Sequence, residues 1–271
     1  MRIAYLGPED SFSFLAAQRF SGGGDELKEY PTITHAILSV VNGGCGAAAV
    51  PLENSTEGGV SDTLDGLIQN DGLFINYERE LKIEQRLLAL RGAESKDIRT
   101  IVTHKQPYGQ CRETVSQMFP DAGIVFADST SAAARAVRDK HTAAIGGVQC
   151  CRADNGLAAF DYCMNDSPVN RTRFVLVSRD NIADAANTKT TVVFESENKP
   201  GGLVSLLKIF EKYNINMTKI ESRPRKEYCL DRYLFIVNIA GNALDSKVKT
   251  ALDKIREKTV YYKFLGSYRV I

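Results

Sequence analysis

The stretch Arg2-Ile3-Ala4-Tyr5-Leu6-Gly7-Pro8-Glu9-Asp10-Ser11-Phe12-Ser13 sets the architecture: an apolar run is cut off by Gly-Pro and followed by acidic and hydroxylated residues. The run from Met1 to Leu6 is too short for a signal peptide and reads as a buried first strand. The same pattern recurs down the first two thirds of the chain. Short strands rich in Val, Ile and Ala are read over 2–6, 47–52, 100–103, 123–127, 142–145 and 174–178. They alternate with helical patterns such as that over 132–138, which predicts an α/β domain with a largely parallel sheet. Small, hydroxylated or amide-bearing residues follow the first five of them. Glu53-Asn54-Ser55-Thr56-Glu57-Gly58-Gly59 follows the second, and His104 with Gln110-Cys111 the third. Asp128-Ser129-Thr130-Ser131 and Gly146-Gly147 follow the next two. Any one of these is equally a helix cap or a turn. Repeated through one domain, they point to a ligand crevice at the carboxyl ends of the strands, where helix N-termini favour anions.

Composition narrows the function. At about 100 to 200 residues per domain, the 271 residues predict two domains. With 44% hydrophobic and 25% charged residues the chain can bury a core, so disorder and fibrous architectures are poor readings. The balance of 34 basic and 33 acidic residues, 34 − 33 = +1, supplies no field to gather a polyanion, and nucleic acid is not expected as a partner. No apolar run approaches the roughly 20 residues that span a bilayer, so no membrane partner is expected. Six cysteines, at 45, 111, 150, 151, 163 and 229, form no C-x-x-C pair and read as free thiols in a reducing, cytoplasmic setting. His35, His104 and His141 are too scattered for a metal cluster, and no metal or cofactor is expected. Gly43-Gly44-Cys45-Gly46 precedes a strand rather than following one, which fails the context of a dinucleotide fingerprint.

The small, polar run over 180–187 reads as an inter-domain connection. Beyond it a strand over 190–194 leads into a helix with Leu203, Leu206, Leu207 and Phe210 on one face. Strands near 216–222 and 233–239 follow, then a helix with Val248, Ala251, Leu252 and Ile255 on one face and a last strand near 260–268. The order β-α-β-β-α-β is the split βαβ arrangement of ferredoxin-like domains, small enough to leave a sheet face or edge needing a partner.

Several motifs carry chemistry only in combination. In Asn170-Arg171-Thr172-Arg173-Phe174 the guanidinium of Arg173 suits a carboxylate and the Thr172 hydroxyl a leaving oxygen, though taken alone a surface Arg and a strand-forming Thr are the better explanation. Glu53-Asn54-Ser55 is either a capping cluster or a substrate cradle. Cys111 reads as a small buried hydrophobe rather than a nucleophile. Arg223-Pro224-Arg225-Lys226 reads as a solvated loop between strands.

Together these segments resemble the prephenate dehydratase family, over nearly the whole chain. The family's G-P-x-G-T-[FY]-S opening is met as Gly7-Pro8-Glu9-Asp10-Ser11-Phe12-Ser13, with Asp10 for the second Gly and Ser11 for Thr. Its P-x-E-N-S segment is Pro51-Leu52-Glu53-Asn54-Ser55, and S-H-P-Q…Q-C is met as Thr103-His104-Lys105-Gln106…Gln110-Cys111. T-R-F is intact as Thr172-Arg173-Phe174. G-A-L-V is met as Gly201-Gly202-Leu203-Val204, and E-S-R-P is intact as Glu221-Ser222-Arg223-Pro224.

The resemblance implies an α/β fold: a two-lobed, type II periplasmic-binding-protein-like catalytic domain followed by a ferredoxin-like βαββαβ ACT domain. The expected boundaries are 1–180 for the catalytic domain (lobes of about 1–76 plus 168–180, and 77–167), 181–188 for a linker and 189–271 for the ACT domain. No helical segment precedes Met1, so the chorismate mutase domain fused in some relatives is not expected. The implied reaction converts prephenate to phenylpyruvate with loss of CO2 and water. Thr172, Arg173 and Phe174 are the implied catalytic residues, with Thr172 serving the departing hydroxyl. Ser11, Glu53, Asn54, Ser55, Thr103, His104 and Gln110 are the implied substrate-binding residues. Arg173 is expected either to bind the pyruvyl carboxylate or to hold Thr172. L-Phe is the implied feedback inhibitor, bound between ACT domains of a homodimer or homotetramer by Gly201, Gly202, Leu203, Val204, Asn216, Glu221, Ser222, Arg223 and Pro224. The rival readings are an arogenate dehydratase, a prephenate decarboxylase and a non-catalytic amino-acid sensor.

Overall fold

A computed structural model describes residues 1–225 and 232–271 of the chain. Lys226 of the basic run and Cys229 lie outside the described residues. The first lobe is built on β1 (Arg2–Leu6), paired in parallel with β2 (Glu26–Tyr30) and β3 (Ala47–Asn54). Helices α1 (Phe12–Phe20) and α2 (Ile33–Val41) connect these strands, and α3 (Ser61–Gln69) leads out of β3. Side chains at the strand ends start two of the helices: Ser11 Oγ accepts the N–H of Phe14, and Thr32 Oγ1 that of His35, each at 3.1 Å. A short β4 (Gly58–Gly59) folds back on β3.

The chain leaves the first lobe along β5 (Phe74–Lys82) and returns along β11 (Arg171–Ser178), which lies antiparallel between β3 and β5. Between them the second lobe runs β6 (Arg86–Leu90), β7 (Thr100–Thr103), α4 (Lys105–Gly109), α5 (Arg112–Met118), β8 (Gly123–Phe126), α6 (Thr130–Ala136), β9 (Thr142–Gly146) and β10 (Leu157–Cys163). Its five-stranded sheet has the order β10-β6-β9-β7-β8. Among the described residues no helix is long and apolar enough to cross a membrane.

The sheets are mixed rather than largely parallel. The strands that carry the chain between lobes turn back without a helical crossover, so β5 and β11 in the first sheet and β6 and β10 in the second pair antiparallel. Sequence periodicity also missed β2, β5, β6 and β10. In β5 the run Glu78-Arg79-Glu80 disguises a strand, because Glu78, only 4% exposed, is satisfied by cations from distant strands. β5 stays in the first sheet to Lys82, so the chain crosses to the second lobe over 83–85, not at the expected 76–77.

Residues 179–188 carry neither helix nor strand. The second domain then runs β12 (Lys189–Glu195), α7 (Gly202–Lys212), β13 (Met217–Pro224), β14 (Tyr233–Ala240), α8 (Ser246–Lys258) and β15 (Tyr261–Val270), the expected βαββαβ order. Leu206, Ile209 and Phe210 of α7 and Val248, Ala251, Leu252 and Ile255 of α8 cover one face of its sheet. The other face and one edge find their partner within the same chain. Val193, Leu234, Ile236, Leu265 and Tyr268 join the core formed by α2, α3 and β3. The edge strand β15 pairs in parallel with β5 through Arg269 and Val270, making one ten-stranded sheet across both domains. Gly266, at φ +119°, lets β15 pass so close to Ile75 O that a Cβ there would overlap it. Lys263 ties the same strand to the end of α3, donating to Ile68 O at 3.0 Å, Asn70 O at 2.8 Å and Asp71 Oδ1 at 2.9 Å.

Candidate active site

The lobes enclose a cavity of about 360 Å³ at the carboxyl ends of β1, β3 and β7. Thr172 enters it from β11, directly opposite Asn54 of β3. Its Oγ1 accepts a hydrogen bond from Asn54 Nδ2 at 2.9 Å. The Asn54 amide is held in that orientation because its Oδ1 accepts the backbone N–H groups of Thr56 at 2.9 Å and Glu57 at 3.2 Å. Thr172 therefore keeps its own proton for another acceptor, and none takes it among the described residues. A donor directed at the oxygen polarises the O–H bond and makes it a better donor in turn.

The amide chain continues across the cleft. Asn54 Nδ2 also reaches Asn170 Oδ1 at 3.0 Å, and Asn170 Nδ2 donates to Gln110 Oε1 at 3.0 Å. Gln110 belongs to the second lobe, at the end of α4. Phe174, 2% exposed, packs against Ala16 and Ile83 and gives the cavity an apolar wall. Ser11 lines the cavity, but its hydroxyl is committed to capping α1 and donates to Leu6 O at 3.2 Å. The N–H groups of Phe12 and Ser13 in that first turn have no acceptor within the helix, so they and the dipole behind them remain for an anion. His104, at the start of α4, also faces the cavity.

Four expected site residues lie elsewhere. Side chains alternate along a strand, so Thr172 and Asn54 face the cleft while Arg173 and Glu53 face the opposite side, toward the second domain. There Arg173 pairs through Nη1 with Glu53, and its Nε lies 3.0 Å from Glu78 Oε1. Glu78 also takes Lys189 Nζ at 2.8 Å; burial pulls the Lys189 pKa down, and the hydrogen bond to Glu78 opposes that shift. Ser55 donates to Val169 O and accepts from Arg171 N, both at 3.0 Å, which fastens β11 to the loop after β3. Thr103 is fully buried and donates to His104 O at 3.2 Å.

Reading the sequence also missed Glu57. It lines the cavity and accepts from Gln106 Nε2 at 3.0 Å, a bond from lobe to lobe. The signal was present in the loop after β3, two residues beyond Ser55. Among the described residues the cavity lining holds no Lys or Arg, and no group of His, Cys, Asp and Glu is placed to hold a metal.

Two departures from the expected motifs are accommodated. Asp10 sits at φ +70°, in the left-handed region that favours Gly and tolerates Asp, and its carboxylate lies 3.5 Å from Arg152. Lys105 is the first residue of α4, where proline is favoured but not required.

A family profile for prephenate dehydratase matches residues 3–182, and one for the ACT domain matches residues 190–257. The chain belongs to the prephenate dehydratase family. It is a lyase acting on prephenate, with an attached ACT domain. The prephenate dehydratase of Bacillus subtilis (strain 168) is 33% identical over 287 residues, covering 99% of each chain. The crystal structure of the Arthrobacter aurescens prephenate dehydratase in complex with L-Phe superposes with a TM-score of 0.87 at 34% identity, over 99% of this chain and 90% of that one. GqqA, described as a novel type of quorum quenching acylase, superposes at 0.86 with 27% identity, over 100% of this chain and 98% of that one.

Thiolate chemistry of the kind acyl transfer often uses finds little support at Cys111 and Cys150. Burial, with Asp166 adding to it, pushes the fully buried Cys111 thiol up to about 12. Burial together with Asp10 does the same to Cys150. Brief alkylation of the native enzyme near neutral pH is expected to label the exposed Cys163 and to spare Cys111 and Cys150 until denaturation, with turnover of prephenate retained. Peptide mass mapping checks this; modification of Cys111 in parallel with loss of activity would contradict it.

Proposed function

We propose that Thr172 is the hydrogen-bond donor to the departing ring hydroxyl of prephenate. The carbon–carbon bond to the ring carboxylate breaks, CO2 leaves, and the released electron pair aromatises the ring and expels the hydroxyl. Thr172 delivers a proton to that oxygen, forming water, and recovers one from solvent. A free threonine is a weak acid, so the effect comes from position and from polarisation by Asn54. The single observation carrying this reading is the Asn54 Nδ2 to Thr172 Oγ1 bond at 2.9 Å inside the cleft.

Neutral donors suit this chemistry. A guanidinium on the ring carboxylate would stabilise the ground state and oppose decarboxylation. In this reading the first-turn N–H groups of α1, with His104 and Gln110, bind the carboxylates, and Phe174 packs against the forming aromatic ring. Arg173 and Glu53 act from behind the sheet. Residues 1–180 form the catalytic domain, 181–188 the linker and 189–271 the ACT domain. The five described cysteines are free, which suits a reducing cytoplasm.

We further propose that L-Phe inhibits by binding between ACT domains of a homodimer or homotetramer. The L-Phe complex of the Arthrobacter relative supports this, as does the exposure of Val204, at 53%, beside Gly201, Gly202 and Leu203, with Asn216 also exposed. Ser222 and Pro224 lie on the outward side of β13, while Glu221 and Arg223 turn toward the catalytic domain. Adding L-Phe to enzyme turning over prephenate is expected to suppress phenylpyruvate formation. Val204→Asp is expected to keep the uninhibited rate and lose the response. Unchanged inhibition in that variant would overturn the site; preferential turnover of arogenate would reassign the substrate.

A further inference from the structure

The motif arginine of β11 is the start of a run of alternating charges that leaves the catalytic domain and enters the second. Arg173 pairs with Glu53, whose Oε1 takes Lys219 Nζ from β13 at 3.1 Å. Lys219 also holds Glu221 at 2.9 Å. Next along β13, Arg223 pairs with Asp65 of α3 at 2.8 Å and donates to Ser61 Oγ at 3.1 Å. The basic run that reads as a solvated loop is therefore, at Arg223, an inter-domain clamp. These side chains are 14% to 27% exposed, so solvent screens them far less than surface pairs. Glu221 lies so close to Gly59 that a Cβ there would collide with its carboxylate, and Gly59 is the ladder partner of Glu53. The Glu221 carboxylate thus packs directly over Gly59.

Strand geometry connects this seam to the cleft. Glu53 and Asn54 are consecutive on β3, as are Arg173 and Thr172 on β11, and each residue faces its opposite number across the ladder. One face of this two-strand ladder thus carries the Glu53–Arg173 pair, and the other carries the Asn54–Thr172 hydrogen bond. A displacement of the ionic pair reaches the Thr172 hydroxyl through one peptide unit on each strand. The β3–β11 ladder also carries a register shift between Arg173 and Phe174, directly beside the Arg173–Glu53 pair.

We infer that Lys219, a residue of the second domain, is a positioning residue for the dehydration: by holding Glu53 against Arg173 it sets the Asn54–Thr172 geometry on the reverse face. The inference rests on the reading of Thr172 given above. Lys219→Met keeps the aliphatic stem and removes the charge. It is expected to lower kcat on prephenate about tenfold with KM within about twofold. Lys219→Arg is expected to restore most of the rate, because a second cation reaches the same carboxylates. The variant Lys219→Met combined with Glu53→Gln is expected to be no slower than Glu53→Gln alone, since both break one link. Thermal unfolding of each variant reports folding, and Lys219→Gln replaces Lys219→Met if the latter does not fold. A wild-type kcat in the charge-removing variant, a rise in KM alone, no rescue by Arg, or additive losses in the double variant would each overturn the inference. Thr172→Ala is measured alongside. If it keeps a normal kcat, the Thr172 reading and this inference fall together; if it is inactive while Lys219→Met is normal, only this inference falls.

Discussion

Thr172→Ala is expected to lower kcat for phenylpyruvate formation by about 10²- to 10³-fold with KM within about twofold, the size seen when a preorganised donor to a transition-state oxygen is removed. The hydroxyl bears little charge in bound prephenate and most as its bond to the ring breaks, so the donor matters chiefly in the transition state. The loss should not come from unfolding. Thr172 sits in a ladder between β3 and β5 whose main-chain bonds do not involve its hydroxyl. Thr172→Ser keeps a hydroxyl at the same atom but loses the methyl that restricts its rotamer, and partial activity is expected. Steady-state kinetics on the three proteins settle the point. A KM effect with unchanged kcat would mean that Thr172 binds substrate rather than assisting its breakdown.

Asn54→Asp is expected to be at least as damaging, a loss of about 10³-fold in kcat/KM, although the change is nearly isosteric. The oxygen that accepts from Thr56 and Glu57 would remain, and with it the loop. The Nδ2 donor would become a second carboxylate oxygen. Thr172 would then donate its proton to that carboxylate instead of to the leaving hydroxyl, and Asn170 would lose its present donor. A fixed negative charge would also face a dianionic substrate. Full activity in this variant would contradict the assigned direction of the Asn54–Thr172 bond; a circular dichroism spectrum matching wild type would confirm that chemistry, not folding, was lost.

The parts of this molecule that were legible in the sequence are those whose causes are local. Helix faces such as Val248, Ala251, Leu252 and Ile255, the hydrophobic strands and the order of the second domain follow from periodicity within a dozen residues. Thr172 and Asn54 were legible as motif residues. Their meeting was not, because 118 positions separate the two partners of that hydrogen bond. The role of Arg173 was hidden for the same reason. Its partners Glu53 and Glu78 lie far back in the chain, and only the pairing of β11 with both β3 and β5 decides which face each side chain takes. β5 was lost because a buried glutamate looks like surface until Lys189 and Arg173 are placed beside it. Lys219 carried no motif signal; only the docking of β13 over Glu53 brings it to the active-site sheet.

The most direct test of the Thr172 mechanism measures CO2 and phenylpyruvate together in one sample of prephenate at neutral pH, for the native enzyme and for Thr172→Ala. Equimolar release by the native enzyme and a parallel fall of both products in the variant are expected, because loss of the carboxylate and loss of the hydroxyl are one event. CO2 release that persists in Thr172→Ala while phenylpyruvate stops would contradict it.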